Sequence, residues 1–542
     1  MYHVETIDIK PGTQEFAYLD YACLCANNMY NVANYYIRNL MTGLKKPEGG
    51  RTPNEKEVIR TVADALGPVN ERLLNKYNKK VKAIKEDKRL SEADREAKLG
   101  KLKCCQFEMP TAEKWFASYQ LLDAVFRHVK NADYMAHHSH LVQGAISACI
   151  GSWTSFFRQP AEGNGLGRKH IPGYKKSGGR STAVFSNQSC TIKHGNLLFP
   201  YAPLPGQEKK SRLSMPVSGL PRASSGKLVE VRAVPYFGGY QVQVVTDDGV
   251  KEADILPRAE DIVGKDGTPA GVMALDPGLN NFASIVDNRG NNPIVIKGGA
   301  IKARNQWYNK ETARLRSELM KGHDPATYHP PTTKRMKAIS RKREAFLRDT
   351  FYKYAHFILR TMRERGLSYL IIGHNKGQKQ EACMGHVNNQ AFVSVPFSKF
   401  NGILEAVARE YGVTVIPQEE SYTSKACFAA RDSIPTYGEE GAHGAKFSGK
   451  RTKRGLYRQD DGRVLNADVN GSANIGRKYD KRIFPKGMDT GYLYGTVQSM
   501  TYADILKASQ KAKVVPVKRD SGPSVGPVSG QPARSSHLSA SA

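Results

Sequence analysis

From residue 18 to residue 40 apolar side chains return at helical intervals, through Leu19, Cys23, Ala26, Met29, Tyr30, Val32, Ala33 and Ile37, and predict an amphipathic helix facing a core. A lysine-rich helical block follows over about 55–103, and a further helical pattern over 117–157 ends on Trp153, Phe156 and Phe157. Residues 1–159 therefore read as an all-helical domain whose first strand is open to assignment to the next one. Between 160 and 266 the texture changes to Gly, Pro and short β-branched runs, among them AVFSN, TIKHGNLLFP, KLVEVRAVPYF and GYQVQVVTD, which predict a small β-barrel-like domain. Its opening, GRKHIPGYKKSGGR, interleaves basic residues with Tyr174 and fits either a phosphate grip or a solvated loop. GKDGTPAG, 264–271, reads as a linker.

Residues 271–480 carry the pattern of a multidomain α/β chain's main sheet. VMALD, FASIVD and PIVIK predict three strands with a turn at 288–291, LSYLIIG and VTVIP two more, and PFSKFNGILEAVAREYG a helix with Phe397, Phe400, Leu404, Val407 and Tyr411 on one face. The region 304–365 between them reads as helical. A short extension over 481–510 and a disordered Ser-, Pro- and Gly-rich tail over 511–542 complete the chain.

Charge changes this picture more than composition does. The 542 residues hold 81 Lys and Arg against 51 Asp and Glu, a formal charge of +30, and such an excess serves a polyanionic partner by releasing its condensed counterions. Residues 300–348 alone hold 13 basic and 4 acidic side chains, a backbone-tracking face in prospect. The start of the chain lacks the apolar block of a secretory signal, and no apolar run approaches membrane-spanning length, so the chain reads as soluble and intracellular with no membrane partner. Eight cysteines lie scattered without spaced pairs, which predicts reduced thiols.

Two aspartates stand where chemistry could gather. Asp276 ends an apolar strand before a Pro-Gly turn, and Asp468 sits where a helix should begin. Each could be no more than a cap. Carboxylates that converge on a pair of divalent cations would instead hydrolyse phosphodiesters, and hard oxygen ligands suit Mg²⁺, with Mn²⁺ as the alternative.

The series ALDPGLNNFASIV, REAFLRDTFYKYAHFIL, YLIIGHNKGQKQ, NNQAFVSVPFSKF, EESYTSKACF, FSGKRTKRGLY and NADVNGSANIGRK resembles, in that order, the RuvC half of transposon-encoded TnpB nucleases. CANNMYNVANYYIR and the IPGYK and FSNQSC stretches extend the likeness upstream. TnpB is similar to type V CRISPR effectors and to Fanzor proteins. The resemblance implies an RNase H-like (RuvC) nuclease domain over 271–480, a helical recognition lobe and a β-rich wedge. It also implies a guide RNA, a target DNA, two Mg²⁺ ions, and a cytoplasmic, nucleoid-associated place in a bacterial or phage-infected cell. Asp276 and Asp468 match the family's metal-binding acids.

Two departures from the family matter. Its zinc ribbon begins Thr-Ser-Lys-x-Cys-x-x-Cys, whereas here Cys427 is followed by Ala430 at the second cysteine position, so the insert over 421–465 is degenerate and no zinc is expected. The usual glutamate follows a strand equivalent to YLIIG, where this chain has Gly373 and His374. The spacing to Thr423 and Ser424 in some relatives makes Glu420 the replacement, with Glu419 as its rival, because neighbours in an extended segment face opposite ways. Asn470 and Asn474 match motif asparagines, either orienting the site or lying exposed in a first turn, and Arg343 and Asp349 read as helix packing or RNA contacts. The expected function is RNA-guided DNA cleavage by Asp276, Glu420 and Asp468; the alternative is a guided DNA binder that has lost cutting.

Overall fold

The computed structural model describes residues 1–159, 170–374, 395–453 and 455–513. Its chain divides into two compact units, Met1–Ile255 with Lys310–Glu344, and Leu256–Asn309 with the residues from Ala345 onward.

The first unit opens on strand β1 (Tyr2–Ile9) and the long helix α1 (Gln14–Gly43), started by Thr13, whose hydroxyl accepts from Phe16 N. The block predicted over 55–103 is two helices, α2 (Pro53–Glu86) and α3 (Glu92–Lys101). Thr52 and Glu55 form a capping box on α2 and Ser91 caps α3, so the break falls where a new N-cap is available. The 117–157 pattern splits likewise into α4 (Tyr119–His128), α5 (Ala132–Met135) and α6 (Ser139–Arg158), each preceded by a capping side chain at Ser118, Asn131 and His138. Trp153 of α6 is fully buried and donates its indole N–H to Asn34 Oδ1 at 2.9 Å.

The β-rich part comprises β2 (Ala183–Ser186), β3 (Thr191–Lys193), β4 (Asn196–Ala202), β5 (Ser211–Pro216), a short helix α7 (Pro221–Ser225), β6 (Lys227–Tyr236) and β7 (Gly239–Asp247). They form two antiparallel sheets, ordered β1-β7-β6-β2 and β3-β4-β5. Among the described residues both sheets keep their edges, so strand pairing closes no barrel. The N-terminal strand joins the first of these sheets, Tyr2 opposite Asp247.

His137 is buried among the rings of Tyr18, Tyr21 and Phe185, and burial, with His138 beside it, pushes its pKa down to about 4. The folded unit thus keeps this imidazole neutral while an unfolded chain would take up a proton below about pH 6.5. Its contribution to stability is complete above that pH and is lost as pH falls from about 6.5 towards 4, by up to about 3 kcal/mol. Denaturant melts at neutral and acid pH should show this loss in the wild type and much less of it in His137→Leu; equal losses in both would assign the acid sensitivity elsewhere.

The second unit is built on β8 (Val272–Pro277), β9 (Asn281–Asp287), β10 (Ile294–Lys297), β11 (Tyr369–His374), β12 (Thr414–Glu419) and a late strand, β16 (Gln498–Met500). Their order is β12-β11-β8-β9-β10-β16. β8, β9 and β10 run antiparallel, β11 runs parallel to β8, and β12 parallel to β11. This is a mixed α/β sheet, in keeping with the α/β class expected of residues 271–480. The helix predicted over 304–365 is two, α8 (Gly299–Met320) and α9 (Lys334–Glu364), parted by a stretch containing Pro325, Pro330 and Pro331. The 264–271 segment is no loose linker: Gly264 N donates to Thr268 O, Val263 bridges to Pro269 and Ala270 N returns to Ile262 O, a closed turn leading into β8.

Both faces of the sheet are covered, which is why its strands read as continuous apolar runs. Met273 and Leu275 of β8 and Leu370 and Ile372 of β11 pack in one cluster with Phe351, Tyr354 and Phe400, the last from helix α10 (Phe397–Glu410). Val272, Tyr369, Ile371 and Ile416 pack in the other with Val469, Ala473 and Ile475 of helix α11 (Ala467–Tyr479). A small antiparallel sheet, β13 (Lys450–Lys453), β14 (Leu456–Arg458) and β15 (Val464–Asn466), feeds directly into α11, and α12 (Tyr502–Lys513) follows β16.

Candidate active site

Side chains alternate along a strand, so Asp276 shares the α11 face of the sheet with Val272 and Ala274, as Gly373 does with Tyr369 and Ile371. On β12 the same parity carries Ile416, Gln418 and then Glu420 just past its end. Helix α11 turns Asp468, Gly471, Ser472 and Ile475 to the sheet, one stripe at helical spacing. Ser472 fixes that docking, its hydroxyl donating to Ser284 O at 2.8 Å. The three sequence-derived acids thereby meet at one end of the sheet. Burial first, and then the charges of Glu420 and Asp468, raise the pKa of Asp276 well above the usual carboxylate range, while Arg451 opposes the shift.

Two glycines make the approach feasible. A β-carbon on Gly471 would stand 2.7 Å from Asp276 Oδ2. One on Gly373 would collide with Glu420 Oε2 and lie 2.8 Å from Ile475 Cδ1. Glu420 therefore reaches into the very space that Gly373 leaves open. The chain turns sharply after it: Tyr422 adopts a left-handed φ of 64°, and Thr423 donates its hydroxyl to Glu420 O at 2.8 Å.

Glu419 goes elsewhere. Its carboxylate accepts from Lys478 Nζ and, at 2.8 Å, from Ser421 N. Burial tends to raise its pKa, yet these hydrogen bonds prevail and hold it below the usual range.

Asp468 is not the cap of α11. Asn466 is, its side chain accepting from Asp468 N at 2.9 Å and Val469 N at 3.3 Å. That leaves the Asp468 carboxylate to accept from Asn281 Nδ2 at 2.6 Å and from Arg451 Nη2 at 3.1 Å. Asn281 and Arg451 are site residues that sequence reading missed; they lie within the ALDPGLNNFASIV and FSGKRTKRGLY stretches, but nothing there singles either residue out. Among the described residues no three His, Cys, Asp or Glu side chains form a ready-made ligand cage. Of the three acids, Asp468 is engaged by the Arg451 guanidinium. The donor set still fits a hard divalent cation, being all carboxylate oxygen and opened by two glycines.

Asn470 and Asn474 are fully buried, not exposed in a first turn. Asn470 accepts from Phe428 N and Gln459 Nε2 and donates to Ala426 O, and Asn474 donates to Thr423 O and Ala426 O. They clamp to α11 the loop that carries Glu420. Asp349 is exposed and pairs with Lys353 one turn on. Of the motif segments quoted for the resemblance, 375–394 and Arg454 lie outside the described residues, as does the predicted tail beyond 513.

The insert after Glu420 does not fit zinc. Cys427 donates its thiol to Gln459 Oε1 at 2.8 Å, Asp432 accepts from Cys427 N and Ser448 N, and Ala430 brings no ligand. This hydrogen-bond network links the segments around Cys427, Ser448 and Gln459. We expect less than stoichiometric zinc in the purified protein and a melting temperature indifferent to a zinc chelator. Asn470→Ala, which removes the partner of the buried Phe428 N–H and of Gln459 Nε2, should cost roughly 2–4 kcal/mol in a denaturant melt. One tightly held zinc per chain would refute the first expectation, and a neutral Asn470→Ala the second.

Comparison with known proteins agrees with this architecture. Residues 258–379 match the OrfB_IS605 model, described as a probable transposase, and residues 397–475 match the Cas12f1-like TNB domain. A TnpB-like protein, ORF457 of Acidianus two-tailed virus, is 23% identical over 247 residues, 45% of this chain and 50% of that protein. The match thus spans about half the length of the curated relative. Among solved structures, a Cas12f1–sgRNA–target DNA complex aligns over 88% of this chain and 98% of its own at 11% identity and a TM-score of 0.43. The C2c1 of Alicyclobacillus acidoterrestris with single-guide RNA aligns over 84% and 70% at 10% identity and a TM-score of 0.27. The fold of the second unit is a mixed α/β sheet with acids at one end. By these two partial family matches and this curated relative, the chain is similar to TnpB-like and Cas12f1-like proteins. Among the described residues, no helix is long and apolar enough to cross a membrane.

Proposed function

We propose that the chain is an RNA-guided DNA endonuclease whose RuvC site is Asp276, Glu420 and Asp468, with the helical part serving as recognition lobe and the β-rich part as wedge. The observation that carries this reading is the meeting of three acids, delivered by β8, by the segment after β12 and by α11, at one end of the sheet in a chain similar to TnpB-like proteins. The three would hold divalent cations, Mg²⁺ or Mn²⁺, which when bound activate water and stabilise the leaving oxygen of a phosphodiester. Asn281 and Arg451 hold Asp468 in place, and Asn470 and Asn474 hold the loop of Glu420. Arg451 also offers a cation beside the acids, suited to steady a scissile phosphate. A guide RNA would select the target by base pairing, leaving the protein to read a short adjacent DNA motif. The excess of 30 positive charges fits both polyanions.

The test joins sequencing of RNA that copurifies with the protein to plasmid cutting in Mg²⁺. A discrete RNA with a constant scaffold and a variable end is expected, with cutting at sites matching that end. Asp276→Ala and Asp468→Ala should each abolish cutting and leave nucleic-acid binding largely intact. Random cellular RNA alone would sink the guided reading, and full cutting by either variant would remove that residue from the site.

A further inference from the structure

Three asparagines of α1, Asn27, Asn31 and Asn34, stand one turn apart on one face of the helix. Asn27 donates to Lys176 O at 3.0 Å, Asn31 donates to Lys175 O at 3.0 Å and accepts from Lys175 N at 2.7 Å, and Asn34 donates to Pro172 O and Gly173 O at 3.1 Å each. Asn27 and Asn34 are 2% and 0% exposed, so buried amides are devoted to fixing a surface segment. The turn that follows needs glycine. Gly178 has a φ of +63°, and a β-carbon on Gly179 would stand 2.7 Å from Lys176 O. This turn brings Arg180 back onto Asp20, whose carboxylate it binds with two hydrogen bonds at 2.9 and 2.7 Å. With its backbone engaged by the ladder, the segment presents Lys175 and Lys176 as exposed side chains.

Those lysines edge a groove of about 640 Å³ between α1, α6 and β6, walled by Ala26, Tyr30, Ala145 and Ala148. Lys175 Nζ stands 4.6 Å from the centre of the Tyr30 ring, and Arg38 stands 5.0 Å from that of Tyr174 nearby. Cations, aromatic faces and a floor of small side chains are the parts from which single-strand grooves are made, because every base has a face to stack and every nucleotide a phosphate to neutralise. Among the described residues none of those lining the groove is acidic, and Asp20, which its Arg180 reaches, is already paired. The volume suits a small ligand such as a single nucleotide.

We propose that this groove takes one unpaired nucleotide of a bound strand, with the base against Tyr30 and the alanines and the phosphate on Lys175 and Lys176. The inference rests on the nucleic-acid-binding reading above and adds to it a specific subsite remote in sequence from the acids. Its test measures the affinity of the full chain for a short mixed-sequence single-stranded RNA and for the matching DNA across a range of salt. Lys175→Ala/Lys176→Ala should weaken binding and lower the slope of log affinity against log salt by about 0.7, the contribution of one phosphate contact on a single strand. Ala148→Trp, which fills the groove from an exposed helix position, should weaken binding roughly ten-fold at unchanged slope. Losses confined to RNA, confined to DNA, or shared would each support the groove and identify the strand it holds. Wild-type affinity and slope in both variants would overturn it while leaving the function above standing; a wild-type chain that binds neither probe would defeat both.

Discussion

Glu420→Gln is expected to remove DNA cutting with nucleic-acid binding retained, and Glu419→Gln to leave most cutting intact. The two side chains are neighbours in sequence but have different partners: Glu420 lies against Gly373 beside Asp276, whereas Glu419 is held by Lys478 and Ser421. Replacing a carboxylate by an amide keeps the shape and removes the charge that a divalent cation needs. Even a partner of a metal ligand typically contributes 10- to 100-fold to activity, so Glu420→Gln should lower cutting by at least about 100-fold. Glu419→Gln removes one charged hydrogen bond from Lys478, which keeps Ser421 O and Pro435 O, and should cost about 1 kcal/mol of stability. Plasmid linearisation in Mg²⁺, paired with filter binding and thermal melts, separates these effects. Normal cutting by Glu420→Gln with a dead Glu419→Gln would shift the site by one residue; normal cutting by both would place the third acid elsewhere.

Glu420 was read from its spacing to Thr423 and Ser424, and strand parity points to the same residue. Ile416 belongs to the apolar face beneath α11, and two steps of two residues lead from it to Glu420. The strands were legible for the opposite reason, that both of their faces are covered and no polar position interrupts them. What the sequence hid was the division of its helices, because α2 and α3, like α8 and α9, share one polar texture and are parted only by local caps and prolines. It also hid Asn281 and Arg451, whose roles depend on the long-range docking of β9 and β13 beside Asp468. The buried clamp of Asn470 and Asn474 was equally invisible, since one polar residue reads alike at an exposed turn and in a satisfied core network.

Gly373→Ala, a single added methyl that changes no charge, is expected to impair cutting nearly as severely as loss of Glu420 itself. Gly373 lies in the middle of the sheet's business end, paired with Gln418 on β12 in parallel register. The new β-carbon would occupy the position of Glu420 Oε2 and press on Ile475 Cδ1 at 2.8 Å and Pro277 Cδ at 3.2 Å. Ile475 can yield by a rotamer change, but the carboxylate must leave the site, because the strand backbone carrying Gly373 is fixed on both sides. Overpacking of this kind typically costs 1–3 kcal/mol, enough to show as a lowered melting temperature alongside the loss of cutting. The same geometry decides how a glutamate could be returned to position 373. Gly373→Glu in a Glu420→Gln background should stay inactive, since the amide still fills the space the new side chain needs. Gly373→Glu with Glu420→Ala removes both obstacles and should recover part of the cutting, measured as plasmid linearisation against Glu420→Ala alone. Full activity in Gly373→Ala would mean that Glu420 does not act from the position it holds beside that glycine.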